Sequence, residues 1–260
     1  MYYKEFIRPA SLEEAWSLYQ KKSTVILAGT MWSKMSRRTL LKGLDLSELG
    51  LDYIEETPSD FRIGAYTTLR EAELHPGLNA YTHGAMQDTV RHIVGVQFRN
   101  TATIGGSIWG RFGFSDLLTL FLALDCTVCL YRKGELSLAE FLKLPRTERD
   151  ILTEIRIPRK ADDVVYLSQR NQSVDFPVLN VVLARCGSSF TACVGARPMP
   201  AAAVRIPSFC LETQSPPEAA ASYVQEQIAF GSNMRSRAEY RKIICGVLVK
   251  RGMETLLDRC

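Results

Sequence analysis

Apolar and polar positions alternate along the chain in short blocks, and the period changes from block to block. Ser11-Leu12-Glu13-Glu14 has the form of a capping box, and Leu12, Ala15, Trp16 and Tyr19 then recur at helical spacing, which predicts a short amphipathic helix. Thr24-Val25-Ile26-Leu27 reads as a compact buried strand, and Ala28-Gly29-Thr30 stops it abruptly. Leu44-Asp45-Leu46 is a further short strand after a basic loop. The opening segment, to about residue 55, therefore reads as a small α/β unit. Phe61 to Ala65 alternates as a strand, Thr68 to Ala72 starts a helix, and Met86 to Val96 reads as another helix with Val90, Ile93 and Val94 on one face. Asn100 to Ser107 is a turn of small residues. Asp116 to Leu124 is an apolar helix, Cys126 to Tyr131 a strand that turns at Lys133-Gly134, and Ile151 to Ile157 a strand that stops at Pro158.

The C-terminal part changes texture again. Alternating runs at Val164 to Gln169, Val178 to Ala184 and Phe190 to Val194 predict a three-stranded antiparallel sheet. Pro207, Pro216 and Pro217 punctuate a linker, and helices over Pro217–Phe230 and Arg237–Leu257 close the chain. The class is α+β.

Composition narrows the function. The chain has 260 residues, 46% apolar and 23% charged, which is ordinary globular usage. Its 32 basic and 28 acidic residues leave a net charge of 32 − 28 = +4, too mild to imply a nucleic-acid partner. Apolar runs such as Leu117 to Leu124 fall far short of the roughly 20 residues of a membrane helix, so no membrane association is expected. The opening Met1-Tyr2-Tyr3-Lys4-Glu5 lacks an apolar signal core, and the 7 cysteines are scattered and odd in number. Both features predict a cytoplasmic chain with reduced thiols.

Two glycine turns carry the chemistry. Leu27-Ala28-Gly29-Thr30 follows a buried strand, and Thr103-Ile104-Gly105-Gly106-Ser107 precedes the helix at Asp116. Glycine admits close approach of a ligand, and successive amides with neighbouring hydroxyls suit a phosphate. Neither turn is a Walker A loop or a Rossmann fingerprint, and plain turn chemistry accounts for each one taken alone. Cys126 and Cys129 have metal-ligand spacing without a second pair, and read as buried core residues. His75, His83 and His92 are isolated and read as surface or helix-end residues; Lys34, Arg37, Arg38 and Lys42 read as a solvated basic loop, with contact to a phosphate as the alternative.

The order of these segments resembles the flavin-binding subunit of molybdenum hydroxylases, the group that includes xanthine dehydrogenase and carbon monoxide dehydrogenase. The resemblance rests on Phe6 to Ala15, Val25 to Thr30, Arg99 to Ser107, Asp116-Leu117-Leu118 with Leu122 to Asp125, Leu152 to Pro158, Gly195 to Pro198 and Ala238 to Lys242. It spans nearly the whole chain and looks closest to members encoded beside selenium-dependent hydroxylases. Two positions depart from the family pattern: Thr30 stands where a second glycine is usual, and Ser107 where Asn is usual.

The resemblance implies a two-lobed FAD-binding domain of the vanillyl-alcohol-oxidase/PCMH type over residues 1–160, with subdomains of about 1–55 and 56–160, and a C-terminal flavoprotein lobe over 161–260. It places the FAD pyrophosphate against Leu27, Ala28, Gly29, Thr30, Met31 and Trp32 on one side. Thr103, Ile104, Gly105, Gly106 and Ser107 form the other wall, Asp116 meets the adenosine part, and Leu152 lies near the flavin ring. It implies a 2Fe-2S subunit and a molybdopterin-binding subunit as partners, with NAD(P) or another acceptor receiving the electrons. A flavin-free structural subunit of the same kind of complex is the rival reading, and the altered first turn is its support.

Overall fold

The computed structural model describes residues 2–31, 35, 37 and 39–259. From the N-terminus it runs through β1 (Tyr2–Ile7), α1 (Leu12–Tyr19), β2 (Thr24–Ile26), β3 (Thr39–Leu44), β4 (Ile54–Glu56) and β5 (Asp60–Gly64). Short helices follow: α2 (Leu69–Leu74), α3 (Pro76–Tyr81), α4 (Ala85–Val90), α5 (Val96–Arg99), α6 (Ile104–Gly110) and α7 (Asp116–Ala123). Then come β6 (Thr127–Leu130), β7 (Gly134–Ser137), α8 (Leu138–Phe141) and β8 (Leu152–Pro158). The last stretch holds β9 (Asp163–Arg170), β10 (Pro177–Cys186), β11 (Ser189–Gly195), β12 (Ala202–Ile206), α9 (Ser208–Leu211), α10 (Pro216–Gln227) and α11 (Ala238–Asp258).

Two units divide the chain, and the division is not a single cut. The first comprises Met1–Ala72, Val96–Gly110 and Thr127–Ile157; the second comprises Glu73–Gly95, Arg111–Cys126 and Pro158–Cys260.

In the first unit, β1, β3 and β2 form a parallel sheet in that order. The predicted helix forms as α1: the Ser11 hydroxyl accepts from Glu14 N, and Glu14 reaches back to Ala10 N. Its Ala15 and Tyr19 bury against Leu44, Leu46, Leu51 and Ile151. A second sheet, β4-β5-β8-β6-β7, completes the unit. Three expectations change here. β1 forms although most of its side chains are exposed, because it needs only one neighbour, β3, on which to pair. The strand expected over Leu44 to Leu46 ends at Leu44, because the Asp45 carboxylate accepts from Ser47 N and a single 3₁₀ turn, Ser47–Leu49, follows. The turn expected over Asn100 to Ser107 is a turn only to Thr103. From Ile104 it is helix, with the Thr103 hydroxyl capping Gly106 N at 3.0 Å.

In the second unit, β12, β11, β10 and β9 form an antiparallel sheet. The three expected strands are there, and Ala202–Ile206 adds a fourth at the edge, where only one residue of the strand is fully buried. α11 packs against β9 and β10, and α7 against β10 and β11, so β10 is buried along most of its length. The helix expected over Met86 to Val96 stops at Val90. Ile93 N bonds back to Val90 O, and Val94 takes a left-handed φ of 53°, which a helix does not allow. Arg241, inside the Ala238 to Lys242 motif, is 1% exposed. Its guanidinium donates to the carbonyls of Val178, Gly231 and Ser236 and to Asn233 Oδ1 at 2.7–2.9 Å, tying the segment before α11 to β10.

The first residue of α7, Asp116, is buried at the centre of a polar network. Its Oδ1 accepts from the Tyr166 hydroxyl at 2.5 Å and Asn180 Nδ2 at 2.8 Å, and pairs with Arg170 Nη2 at 2.9 Å. The Thr119 hydroxyl donates to Asn180 Oδ1 at 2.9 Å. Burial pushes the Tyr166 phenol far up, with the Asp116 charge adding to the shift, so it stays a donor. Removing the carboxylate strands a buried guanidinium. Asp116→Ala is therefore expected to cost about 3–5 kcal/mol of stability in the flavin-free chain, as for one partner of a buried pair, read from equilibrium urea unfolding.

Candidate functional site

The first unit brings the two glycine segments side by side. β2 and β3 pair in register through Ile26 opposite Leu44, and Leu27 N still bonds Leu44 O at 2.8 Å. The chain then turns through Ala28, Gly29 and Thr30. Gly29 has a φ of 63°, and a Cβ there would stand 2.2 Å from the carbonyl oxygen of Thr101. Only glycine meets both demands. On the other side, a Cβ on Gly105 would fall 2.5 Å from Ala65 O, and one on Gly106 would meet Thr103 Oγ1 at 2.9 Å and Ala28 O at 3.4 Å. The glycines of both segments thus let protein backbone approach protein backbone.

The amides of the two segments have different fates. In the second, Ile104 N bonds Thr67 O, Gly105 N bonds Ala65 O, Gly106 N bonds the Thr103 hydroxyl and Ser107 N bonds Thr103 O. The Ser107 hydroxyl also turns inward, donating to Thr103 O at 2.9 Å. The expectation of successive open amides fails here, because the helix start consumes them. In the first segment, Thr30 N bonds Ala28 O at 2.7 Å, while the amides of Ala28 and Gly29 have no partner among the described residues. Both residues are partly exposed. This is the donor chemistry that an anionic pyrophosphate needs, and it fits one wall of such a group.

Beside this loop lies a cleft of about 500 Å³, lined by Tyr3, Phe6, Leu27, Gly29, Thr30, Asp45 and Thr101. That size lies within the range of small-molecule sites, roughly 300–1,000 Å³. Asp45 brings a negative charge to the lining, offset by Arg8, whose Nε lies 3.3 Å from it. Of these residues, Tyr3, Phe6, Asp45 and Thr101 were not singled out as site residues from sequence. Phe6 and Thr101 had a signal, their places in the opening motif and in the Arg99 to Ser107 motif.

The remaining expected site residues are spread out. Met31 ends the described part of the first loop; Trp32, Lys34 and Arg38 lie outside the described residues. Leu152 is buried on β8 opposite Leu130, and its neighbour Thr153 accepts at its carbonyl from Ala65 N, the residue beneath Gly105. Asp116 belongs to the second unit, with Oδ1 engaged as above. Thr30, where the family usually carries glycine, has a φ of 52°, a left-handed conformation that costs a branched residue about 1–2 kcal/mol. Strain of this kind collects at functional loops.

The other candidates are structural. His75 caps α3 through Nδ1, which accepts from Leu78 N at 3.1 Å. His83 lies 3.9 Å from Asp163, and His92 accepts from Arg91 Nε. Cys126 and Cys129 are both buried, and no cluster of metal-ligating side chains occurs among the described residues. No helix among them is long and apolar enough to cross a membrane. Burial, together with a hydrogen bond to Glu154, pushes the Cys129 thiol up to about 11.

Two outcomes follow from this geometry. Thr30→Gly relieves the left-handed strain and is expected to stabilise the flavin-free chain by up to about 1 kcal/mol, since glycine's greater unfolded-state freedom offsets part of the gain; thermal denaturation reads it. Because its raised pKa keeps Cys129 a thiol at neutral pH, folded protein at pH 8 is expected to leave this residue unalkylated by iodoacetamide while the exposed Cys186 is labelled. Peptide mass mapping checks it, and modification of Cys129 should rise only as pH approaches 11.

Residues 2–160 match the family described as the FAD binding domain in molybdopterin dehydrogenase. An uncharacterized protein of Escherichia coli K12, YgfM, is 31% identical over 161 residues, covering 59% of each chain. The FAD subunit of nicotinate dehydrogenase from Eubacterium barkeri is 29% identical over 139 residues, covering 48% of this chain and 45% of that one. The alignments therefore span about half to three fifths of these relatives. Among solved structures, quinoline 2-oxidoreductase from Pseudomonas putida 86 superposes with a TM-score of 0.87 at 18% identity, covering 98% of this chain and 96% of that one. Carbon monoxide dehydrogenase from Hydrogenophaga pseudoflava gives 0.83 at 21% identity, covering 98% of both chains. These two likenesses establish the fold, and the family match over residues 2–160 establishes the kinship: the chain belongs to the FAD-binding family of the molybdopterin dehydrogenases.

Proposed function

We propose that this chain is the flavin-carrying electron-transfer subunit of a molybdenum hydroxylase-type complex. It receives electrons from a 2Fe-2S partner, which is reduced in turn by a molybdopterin-binding subunit, and passes them to NAD(P) or another acceptor. The observation that carries the reading is the loop after β2, where the Ala28 and Gly29 amides have no partner among the described residues and Gly29 lines a cleft, in a chain of an FAD-binding family.

Bound FAD supplies two-electron redox chemistry that side chains lack. The protein's part is to hold and orient it. Leu27, Ala28, Gly29, Thr30 and Met31 form one wall, with the Ala28 and Gly29 amides as donors to the pyrophosphate. Thr103, Ile104, Gly105, Gly106 and Ser107 brace that wall from behind through the close contacts at Gly29 and Gly106. Asp116 serves the adenosine part through Oδ2, since Oδ1 is taken by protein donors. Leu152 gives an apolar surface toward the ring. Among the described residues, no acid–base or metal-binding constellation for work on an organic substrate accompanies these groups. The complex belongs, on the sequence resemblance, with the selenium-dependent group, and elemental analysis of the co-purified subunits for selenium checks that.

The direct test is Gly106→Val. The β-branched side chain is driven toward Ala28, and displacing the loop by overpacking of about 1–3 kcal/mol would correspond to a loss of FAD affinity of roughly fivefold to 150-fold. Far-ultraviolet circular dichroism should stay near that of the parent chain, while the yellow absorbance of the purified protein falls. Full flavin retention in this variant sinks the assignment of the loop. A colourless parent chain that refuses added FAD points instead to a flavin-free structural subunit.

A further inference from the structure

The parallel ladder of β2 and β3 is interrupted by a side chain. Its last direct rung joins Leu27 N to Leu44 O at 2.8 Å. Continuing the evenly spaced pattern of a parallel pair, the next rung would run from Leu46 N to Leu27 O, and the one after it from Gly29 N to Leu46 O. The Tyr66 hydroxyl occupies the first of these. It accepts from Leu46 N at 3.0 Å and donates to Leu27 O at 2.8 Å. The second is missing: Leu46 O accepts instead from Leu49 N at 3.0 Å, in the 3₁₀ turn, and the Gly29 amide has no partner among the described residues. Tyr66 is itself fixed: its own amide bonds Leu51 O at 2.8 Å, and its side chain packs against the core around Leu44, Leu46 and Leu51. Burial pushes its phenol well above the ordinary value, so the hydroxyl keeps the proton it gives to Leu27 O.

We propose that Tyr66 is a positioning residue for the cofactor loop: its hydroxyl, inserted as a rung beside the turn at Asp45, holds Leu27 and Leu46 apart where the β2–β3 ladder ends and keeps the Gly29 amide out of the sheet for the pyrophosphate. The inference rests on the reading that the Ala28–Gly29 loop holds the FAD pyrophosphate. It adds to that reading the reason why the loop's donors are open. Without the hydroxyl, Leu46 N and Leu27 O are free to bond each other directly, and the Gly29 amide then comes within reach of the second lone pair of Leu46 O, beside the bond from Leu49 N. The same fold would survive with its donor withdrawn.

The test uses the full chain with Tyr66→Phe and Tyr66→Leu. FAD and ADP are titrated separately, because ADP carries the pyrophosphate without the flavin ring. Both variants are expected to lose affinity for both ligands by a common factor of roughly tenfold, the scale of one lost hydrogen bond to a charged group. Melting of flavin-free Tyr66→Phe should change little, since the ladder closes on itself. The readout a merely structural role would not move is amide exchange at Gly29, which should be fast in the flavin-free parent, slowed by FAD, and already slow in flavin-free Tyr66→Phe. The parent measurement needs no variant, and a Gly29 amide protected before any ligand is added overturns the proposal even if both variants fail to fold. So does unchanged affinity in Tyr66→Phe, loss in Tyr66→Leu alone (which would credit the ring), or loss for FAD with ADP unaffected. Gly106→Val run alongside separates the two readings. If Gly106→Val loses FAD while Tyr66→Phe keeps it, only the role of Tyr66 falls; if Gly106→Val keeps FAD, the loop assignment itself falls.

Discussion

The close approach of the Gly29 backbone to the Thr101 carbonyl is the constraint on which the first unit's site depends. A single added carbon would stand 2.2 Å from that oxygen, so the loop after β2 and the segment leading into α6 sit as near as main chains allow. Gly105 repeats the arrangement against Ala65 on the far side of the same segment. The consequence is an asymmetric distribution of donors. The helix start spends its amides on Thr67, Ala65 and Thr103, and becomes a rigid brace. The loop it braces keeps two amides without a partner among the described residues, open to water or to a ligand. Buried or half-buried polar groups are satisfied nearly everywhere in folded proteins, so an exception at a cleft rim carries functional weight.

Local strain in this loop follows from the same geometry. The turn needs left-handed residues at two successive positions, Gly29 and Thr30, and only the first is glycine. A threonine held at φ 52° persists because its surroundings over-determine it: the ladder behind it, the Tyr66 hydroxyl beside it and the α6 segment beneath.

The second unit solves a different problem with the same economy of polar partners. Asp116 and Arg170 are buried as a pair, joined by Tyr166 and Asn180, while Arg241 is buried with carbonyl oxygens and one amide oxygen as its acceptors. Burial of charge is tolerated in both cases because every donor finds an oxygen in good geometry. The Ala238 to Lys242 motif has a physical meaning in this light: its arginine ties the segment before the last helix to the central strand of the sheet.

Much of the fold was legible in the sequence, because it is written in local terms. The capping box at Ser11, the alternation in β9, β10 and β11 and the two closing helices are each decided by residues within a turn or two of one another, and the chain adopts them. The glycine segments were legible too, as positions that tolerate close approach, and the order of motifs pointed to the family and to FAD. What the sequence could not decide is what approaches the glycines. Phosphate and backbone impose the same demand on a missing Cβ, and only the tertiary structure sets Gly29 and Gly105 against protein carbonyls and leaves the Ala28 and Gly29 amides without a partner among the described residues. Edge strands such as β1 and β12 were likewise invisible, since pairing on one side needs no buried alternation. Tyr66 belongs to none of the patterns read from the sequence, and its hydroxyl acquires a role only because folding carries it from just beyond β5 to the gap between Leu27 and Leu46, a juxtaposition that no local pattern encodes.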